Sequence, residues 1–172
     1  MTKVNGKGFT LIEVIIVTSL VGVLAVVSGR LIVSVIKGYN KSQSVSQINR
    51  VGQYLLDVFS NEVRGAKSVS VISPTELLIV KADDSQATLL YVPKDCTGDS
   101  SNNFLSLGGL AITPINPRTG VDVESFTIVS NSAGVVSFNT TLAQACGLPD
   151  RPDYTGSASF TISVKPRSIY GN

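Results

Sequence analysis

From Phe9 to Gly29 the chain is apolar on every side of any helix it forms, with Glu13 as the one charged residue. At 1.5 Å per residue these positions span about 31 Å, the thickness of a bilayer core. After Lys37 the pattern changes to a stripe, Val45, Ile48, Gly52, Leu55, Phe59 and Val63. That spacing of three or four predicts an amphipathic helix with its stripe on a globular core. The opposite face shows Gln43, Gln47, Arg50, Asp57, Asn61 and Arg64. The first proline is Pro74, so one helix from Phe9 to about Ala66 is permitted. The alternative is two helices broken near Gly38-Tyr39-Asn40. Gly29, Gly38 and Gly52 weaken a helix locally and are the expected bend points.

From Ser68 the period shortens to two. Strands are predicted at 68–72, 76–81, 87–92, 109–113, 123–130, 135–139 and 159–165. Ser73-Pro74-Thr75, Ala82-Asp83-Asp84-Ser85 and Asn131-Ser132-Ala133-Gly134 read as turns, and 96–103 and 147–156 as polar or Pro/Gly-rich loops. The implied fold class is α+β: a long N-terminal helix, membrane-embedded in its first half, packed on an antiparallel β-sheet head. The pattern divides the chain into a short basic stretch at 1–8, a transmembrane half-helix at 9–36, an amphipathic half-helix at 37–67 and a β-rich head at 68–172.

Composition narrows the picture. Of 172 residues, the 136 beyond residue 36 suffice for one domain with a core. Two of the 14 basic residues lie within residues 1–8, which leaves 12 against 12 acidic ones beyond them and no general electrostatic case for nucleic-acid binding. Lys3 and Lys7 place the N-terminus on the cytoplasmic side, and everything beyond Lys37 outside the cytoplasm. Arg30 snorkels at the outer rim.

Glu13 is the most informative residue. A charge inside hydrocarbon costs a few kcal/mol, roughly 2.5–3.5 for Asp or a basic residue at mid-helix, and usually marks function. Lys7-Gly8-Phe9-Thr10-Leu11-Ile12-Glu13 resembles the processing site of type IV prepilins and of the pseudopilins of type II secretion and competence systems. The resemblance implies that residues 1–8 are a leader, that prepilin peptidase cuts between Gly8 and Phe9 and that Phe9 is then N-methylated. It implies that Glu13, fifth after the cut, docks on a neighbouring subunit's Phe9 ammonium and acts at the inner-membrane assembly platform. The partners implied are other pilin subunits, in homo- or hetero-oligomeric filaments, and membrane lipid. The lollipop layout of a stick helix and a sheet head is also implied.

Layout alone, from Ile48-Asn49-Arg50 to Tyr91-Val92-Pro93, is similar to minor pseudopilins of the J class. A minor filament subunit is therefore the expected role. A major pilin, or a tip pilin binding DNA or a surface, is the alternative, with Arg151, Lys165, Arg167 and Tyr170 as the few C-terminal candidates for a ligand patch.

Cys96 and Cys146 are the two cysteines, both in the exported head. A bridge is expected there and would close a loop of roughly fifty residues, worth about 4 kcal/mol. Two buried free thiols are the alternative. Pilins often carry a C-terminal disulfide loop; this one would be larger, because Cys96 lies mid-domain. Catalysis is not expected: there is no His, and Ser34-Val35-Ile36-Lys37 matches a Ser-x-x-Lys spacing on a plain helix at the membrane edge. No cofactor or metal is expected; Asp83, Asp84, Asp95 and Asp99 are better explained by turns than by calcium. Asn139-Thr140-Thr141 fits a glycosylation acceptor by a pattern that is common by chance, and Gly108-Gly109 lacks any phosphate-loop context.

Overall fold

The computed structural model describes residues 10–95, 101–147 and 155–167. The chain divides into two compact units, Met1–Tyr39 and Asn40–Asn172.

One helix, α1, covers Leu11–Gly65 and is unbroken at Gly38-Tyr39-Asn40. In the first unit every Leu, Ile and Val from Leu11 to Ile36 is at least half exposed. The helix is long and apolar enough to cross a membrane, and none of its apolar window is buried. Burying one such side chain is worth about 1.5–3 kcal/mol, so this surface represents tens of kcal/mol of unrealised burial.

In the second unit α1 buries Ile48, Gly52, Leu55, Phe59 and Val63, five of the six stripe positions. Val45, the sixth, is 38% exposed at the margin of the core. Eight strands follow: β1 Ala66–Ser73, β2 Glu76–Lys81, β3 Gln86–Val92, β4 Phe104–Leu107, β5 Leu110–Ala111, β6 Val121–Ser130, β7 Val136–Gln144 and β8 Ser157–Val164. All pairs are antiparallel, and the head contains two sheets, ordered β1-β2-β3-β4-β5 and β6-β7-β8, where one was expected. The division falls in the segment between β5 and β6. Pro114 and Pro117 lie there and lack the N–H that would continue a ladder.

Strand β4 escaped the alternation pattern, and the predicted 109–113 strand shrinks to two residues. Gly108 and Gly109 have φ of 58° and 84° and join Leu107 to Leu110 as a two-residue hairpin. Positive φ at both central positions is the turn geometry that favours glycine. Strand β7 runs five residues past the predicted 135–139 segment, because Thr140 and Leu142 continue the buried alternation.

The β6–β7 turn forms as expected. Asn131 Oδ1 accepts the N–H of Ala133 and of Val135, each at 3.0 Å, and Gly134 takes φ 72°. In the turn at 82–85, Asp83 Oδ1 accepts from the Ser85 N–H and hydroxyl, while Asp84 pairs with Lys67. Both acids serve the turn, and among the described residues no group of three or more ligating side chains gathers for a metal.

A line of rings joins the layers. Phe59 on α1 lies 4.8 Å from Phe138 on β7, which meets Phe126 on β6 edge-on at 5.1 Å; Phe126 in turn lies 6.2 Å from Tyr91 on β3. Two backbone bonds tie the sheets: Ile128 N–H donates to Pro74 O at 2.7 Å and Val123 N–H to Asn103 O at 3.2 Å.

Gly52 is a packing slot, and the expectation of a bend there is corrected. It lies inside the continuous helix, and a Cβ added to it would overlap the Phe160 ring of β8. Gly→Ala gains about 1 kcal/mol of helix propensity, whereas overpacking a filled core costs about 1–3 kcal/mol. Gly52→Ala is therefore expected to lower the thermal unfolding midpoint of the head, and adding Phe160→Leu to recover part of the loss. A raised midpoint for Gly52→Ala alone would show that the ring does not occupy this slot.

Candidate functional site

The helix start is built from Thr10 and Glu13. Thr10 precedes the first helical residue, and the Glu13 N–H donates to its Oγ1 at 3.3 Å and to its carbonyl at 3.1 Å. Thr-x-x-Glu is the capping-box spacing, in which the N-cap hydroxyl satisfies the third N–H of the helix. The sequence signal for this cap is Thr10 and Glu13 themselves, immediately ahead of the apolar run; it passes unnoticed when Glu13 is read only as a membrane charge. The cap places the Glu13 carboxylate in the first turn, where the helix dipole favours negative charge.

Two hydroxyls in the apolar segment bond back to the helix. Thr18 Oγ1 donates to Val14 O at 2.9 Å, and Ser19 Oγ to Ile16 O at 2.8 Å. Such back-bonding is how hydroxyls are accommodated in a helix facing hydrocarbon. Glu13 has no such bond. Its side chain is exposed, and among the described residues its carboxylate has no hydrogen-bond or ion-pair partner. Gly8 and Phe9, the other residues of the expected processing and assembly site, lie outside the described residues.

The prokaryotic N-terminal methylation motif matches residues 4–29. This chain carries that motif. It is typical of type IV pilins and pseudopilins, and the α+β arrangement of a long N-terminal helix on antiparallel sheets is pilin-like. The methylation motif contains Glu13, Thr10 and the self-bonded Thr18 and Ser19, and it ends before the head begins. No curated protein and no solved structure matches the chain.

The second site lies at the junction of the two sheets. Asn102, within a run read from sequence as a polar loop, is fully buried. Its Nδ2 donates to Asn116 O at 2.8 Å, Val121 O at 3.3 Å and Pro114 O at 3.4 Å. Its Oδ1 accepts the Cys146 N–H at 3.0 Å, and its own N–H donates to Ile115 O at 3.0 Å. One amide thereby fixes the inter-sheet segment and the half-buried segment just after β7 that carries Cys146. Nothing in its sequence context distinguishes Asn102 from its neighbours Ser101 and Asn103; the three-dimensional crowding of orphan carbonyls does. Cys96, the expected partner of Cys146, lies outside the described residues.

Beside it, the Asp122 carboxylate accepts the Asn103 N–H at 2.7 Å and Nδ2 at 3.1 Å. Burial raises the Asp122 carboxyl above its ordinary 3.8, against the pull of these bonds. The folded head then holds this proton more tightly than the unfolded chain. The group's stabilising contribution is complete below about 3.8 and fades as pH rises through the raised value. Tyr91, whose hydroxyl donates to Val123 O at 3.2 Å, is also raised, by burial first and by the Asp122 charge second.

Removing a partner from a buried network leaves groups unsatisfied at about 1–3 kcal/mol each. Asn102→Ala is therefore expected to destabilise the head by at least that amount in chemical denaturation and to speed amide exchange at Cys146. A change below about 0.5 kcal/mol, the size typical of a surface substitution, would remove Asn102 from this role.

Proposed function

We propose that this chain is a subunit of a type IV pilus-like filament, processed by prepilin peptidase between Gly8 and Phe9 and assembled through its N-terminal helix. The observation that carries the reading is Glu13: a carboxylate without a partner among the described residues, at the head of an apolar segment that is bare from Leu11 to Ile36. A segment of this kind in water would lose the whole of its unrealised burial, so lipid first and sibling helices afterwards are its natural surroundings. Within hydrocarbon the carboxylate calls for a cation, and the Phe9 ammonium created by cleavage in a neighbouring subunit supplies it.

In this reading the chain begins as a single-pass cytoplasmic-membrane protein with its N-terminus in the cytoplasm. The head stands in the periplasm or outside the cell. The membrane assembly platform transfers the subunit into the filament. A minor pilin or pseudopilin is the favoured rank, on the strength of the layout after Ile48. Cys96 and Cys146 form a bridge in the exported head, closing a loop whose far end is the segment that Asn102 already pins.

The deciding experiment is Glu13→Val. The variant is expected to be cleaved at the normal site and to enter sheared filaments at a small fraction of the normal level. Normal incorporation would remove the docking role. Intact mass of the natural mature chain is expected to show loss of residues 1–8, one methyl group on Phe9, and no uptake of alkylating label without reductant. Retention of the leader would contradict the processing site, and two labels the bridge.

A further inference from the structure

Each sheet has two edges, and three of these four edges are blunted. Strand β1 is irregular in register between Ala66 and Ser68 and again between Val71 and Ser73, and it carries Lys67, paired with Asp84. Strand β5 is two residues long. Strand β6 has a register shift between Val123 and Ser125 and bears Asp122 and Glu124; it also gives the Val123 and Ile128 N–H groups to the other sheet. Bulges, charge, shortness and intramolecular cover are the devices that stop an edge from pairing with another chain.

Strand β8 has none of them. It is eight residues long, Ser157–Val164, without charge, proline or register shift along its ladder with β7. Among the described residues no backbone hydrogen bond is made from its outer edge. Its residues alternate strictly. Ser157, Ser159, Thr161 and Ser163 face solvent, and Ala158, Phe160, Ile162 and Val164 face inward. Three side-chain bonds hold the strand against β7: Ser163 to Ser137 at 2.8 Å, Thr161 to Asn139 at 2.8 Å and Ser159 to Thr141 at 3.0 Å. The strand is therefore long, regular and uncharged, yet it lies at an edge. Lys165 and Pro166 follow it at once and bound the segment available for pairing.

We infer that the β8 edge docks a second copy of this chain, through antiparallel pairing with that copy's own β8 about a two-fold axis at Thr161. In this register Thr161 faces Thr161, Ser159 faces Ser163, Phe160 faces Ile162 and Ala158 faces Val164. Hydroxyls meet hydroxyls, apolar groups meet apolar groups, and no like charges are opposed. A one-residue slip would set hydroxyls against the apolar face. A slip toward the C-terminus would oppose Lys165 to Lys165 and bring in Pro166, which has no N–H to donate. The two three-stranded sheets become one six-stranded sheet. The contact is isologous and closed, so it pairs heads without propagating, and it is independent of Glu13 docking.

The test uses the full chain in detergent micelles. Opposed residues in an antiparallel pair lie about 4.5–5.5 Å apart at Cα, within disulfide reach. Thr161→Cys is expected to give an oxidised dimer whose linked residue, located by mass spectrometry, is position 161 in both copies. Thr127→Cys, on the solvent face of β6, is expected to give none. Ser159→Lys with Ser163→Lys sets lysine against lysine at both ends and is expected to abolish the position-161 link. Mixing that variant with Ser159→Glu plus Ser163→Glu is expected to restore it. The inference is overturned if Thr161→Cys links no more than Thr127→Cys in chains with the same thermal transition, or if the lysine pair leaves the link unchanged. The lysine variant's Glu13-dependent entry into filaments, measured alongside, distinguishes failure of this contact from failure of the filament reading.

Discussion

A carboxylate without a partner among the described residues, at the head of a bare apolar helix, is the constraint on which the rest depends. Thr18 and Ser19 show how polar groups in such a segment are accommodated, by returning their hydroxyl hydrogens to the preceding turn. Glu13 has no donor to return. Its main-chain N–H is taken by Thr10, which fixes where the helix begins and therefore where the carboxylate stands. In the proposed reading a cation from a neighbouring subunit neutralises it in hydrocarbon, and that need would make a membrane anchor an assembly element.

The head answers a different demand. Its stretch of α1 is amphipathic, and the stripe from Ile48 to Val63 is covered by two sheets. The rings of Phe59, Phe138, Phe126 and Tyr91 carry that contact from helix to one sheet and on to the other. Where the sheets separate, backbone carbonyls of residues 114–121 would be stranded, and the single buried amide of Asn102 collects them. The head is thus pinned at two points, an aromatic line through its centre and a polar knot at its seam.

Much of this was legible in the chain itself, for identifiable reasons. The helix and its buried stripe follow from a period that physics enforces over many residues, and β2 was read to the residue because Pro74 and the Asp83-Asp84 turn bracket it. The polar anchor residues and the local turns of the head were harder. Gly109 read as the start of a strand, which hid the hairpin turn it makes with Gly108, and β4 went unread with it. Gly52 read as a weak point in a helix, since nothing local tells of a Phe160 more than a hundred residues away that needs the space. Asn102 was invisible for the same reason. At the helix start, Gly8, Phe9 and Glu13 stood out as a motif, while the cap that orients Glu13 was hidden by the attention its charge draws.

The central claim concerns one distance between two molecules. Filaments assembled from a mixture of chains, half labelled with nitrogen-15 at Phe9 and half with carbon-13 at the Glu13 carboxyl, permit it to be measured by solid-state magnetic resonance. The account predicts an intermolecular contact within the roughly 4–6 Å over which opposite charges stabilise each other. Well-ordered filaments in which the Glu13 carboxyl has no neighbouring Phe9 nitrogen in that range would contradict it.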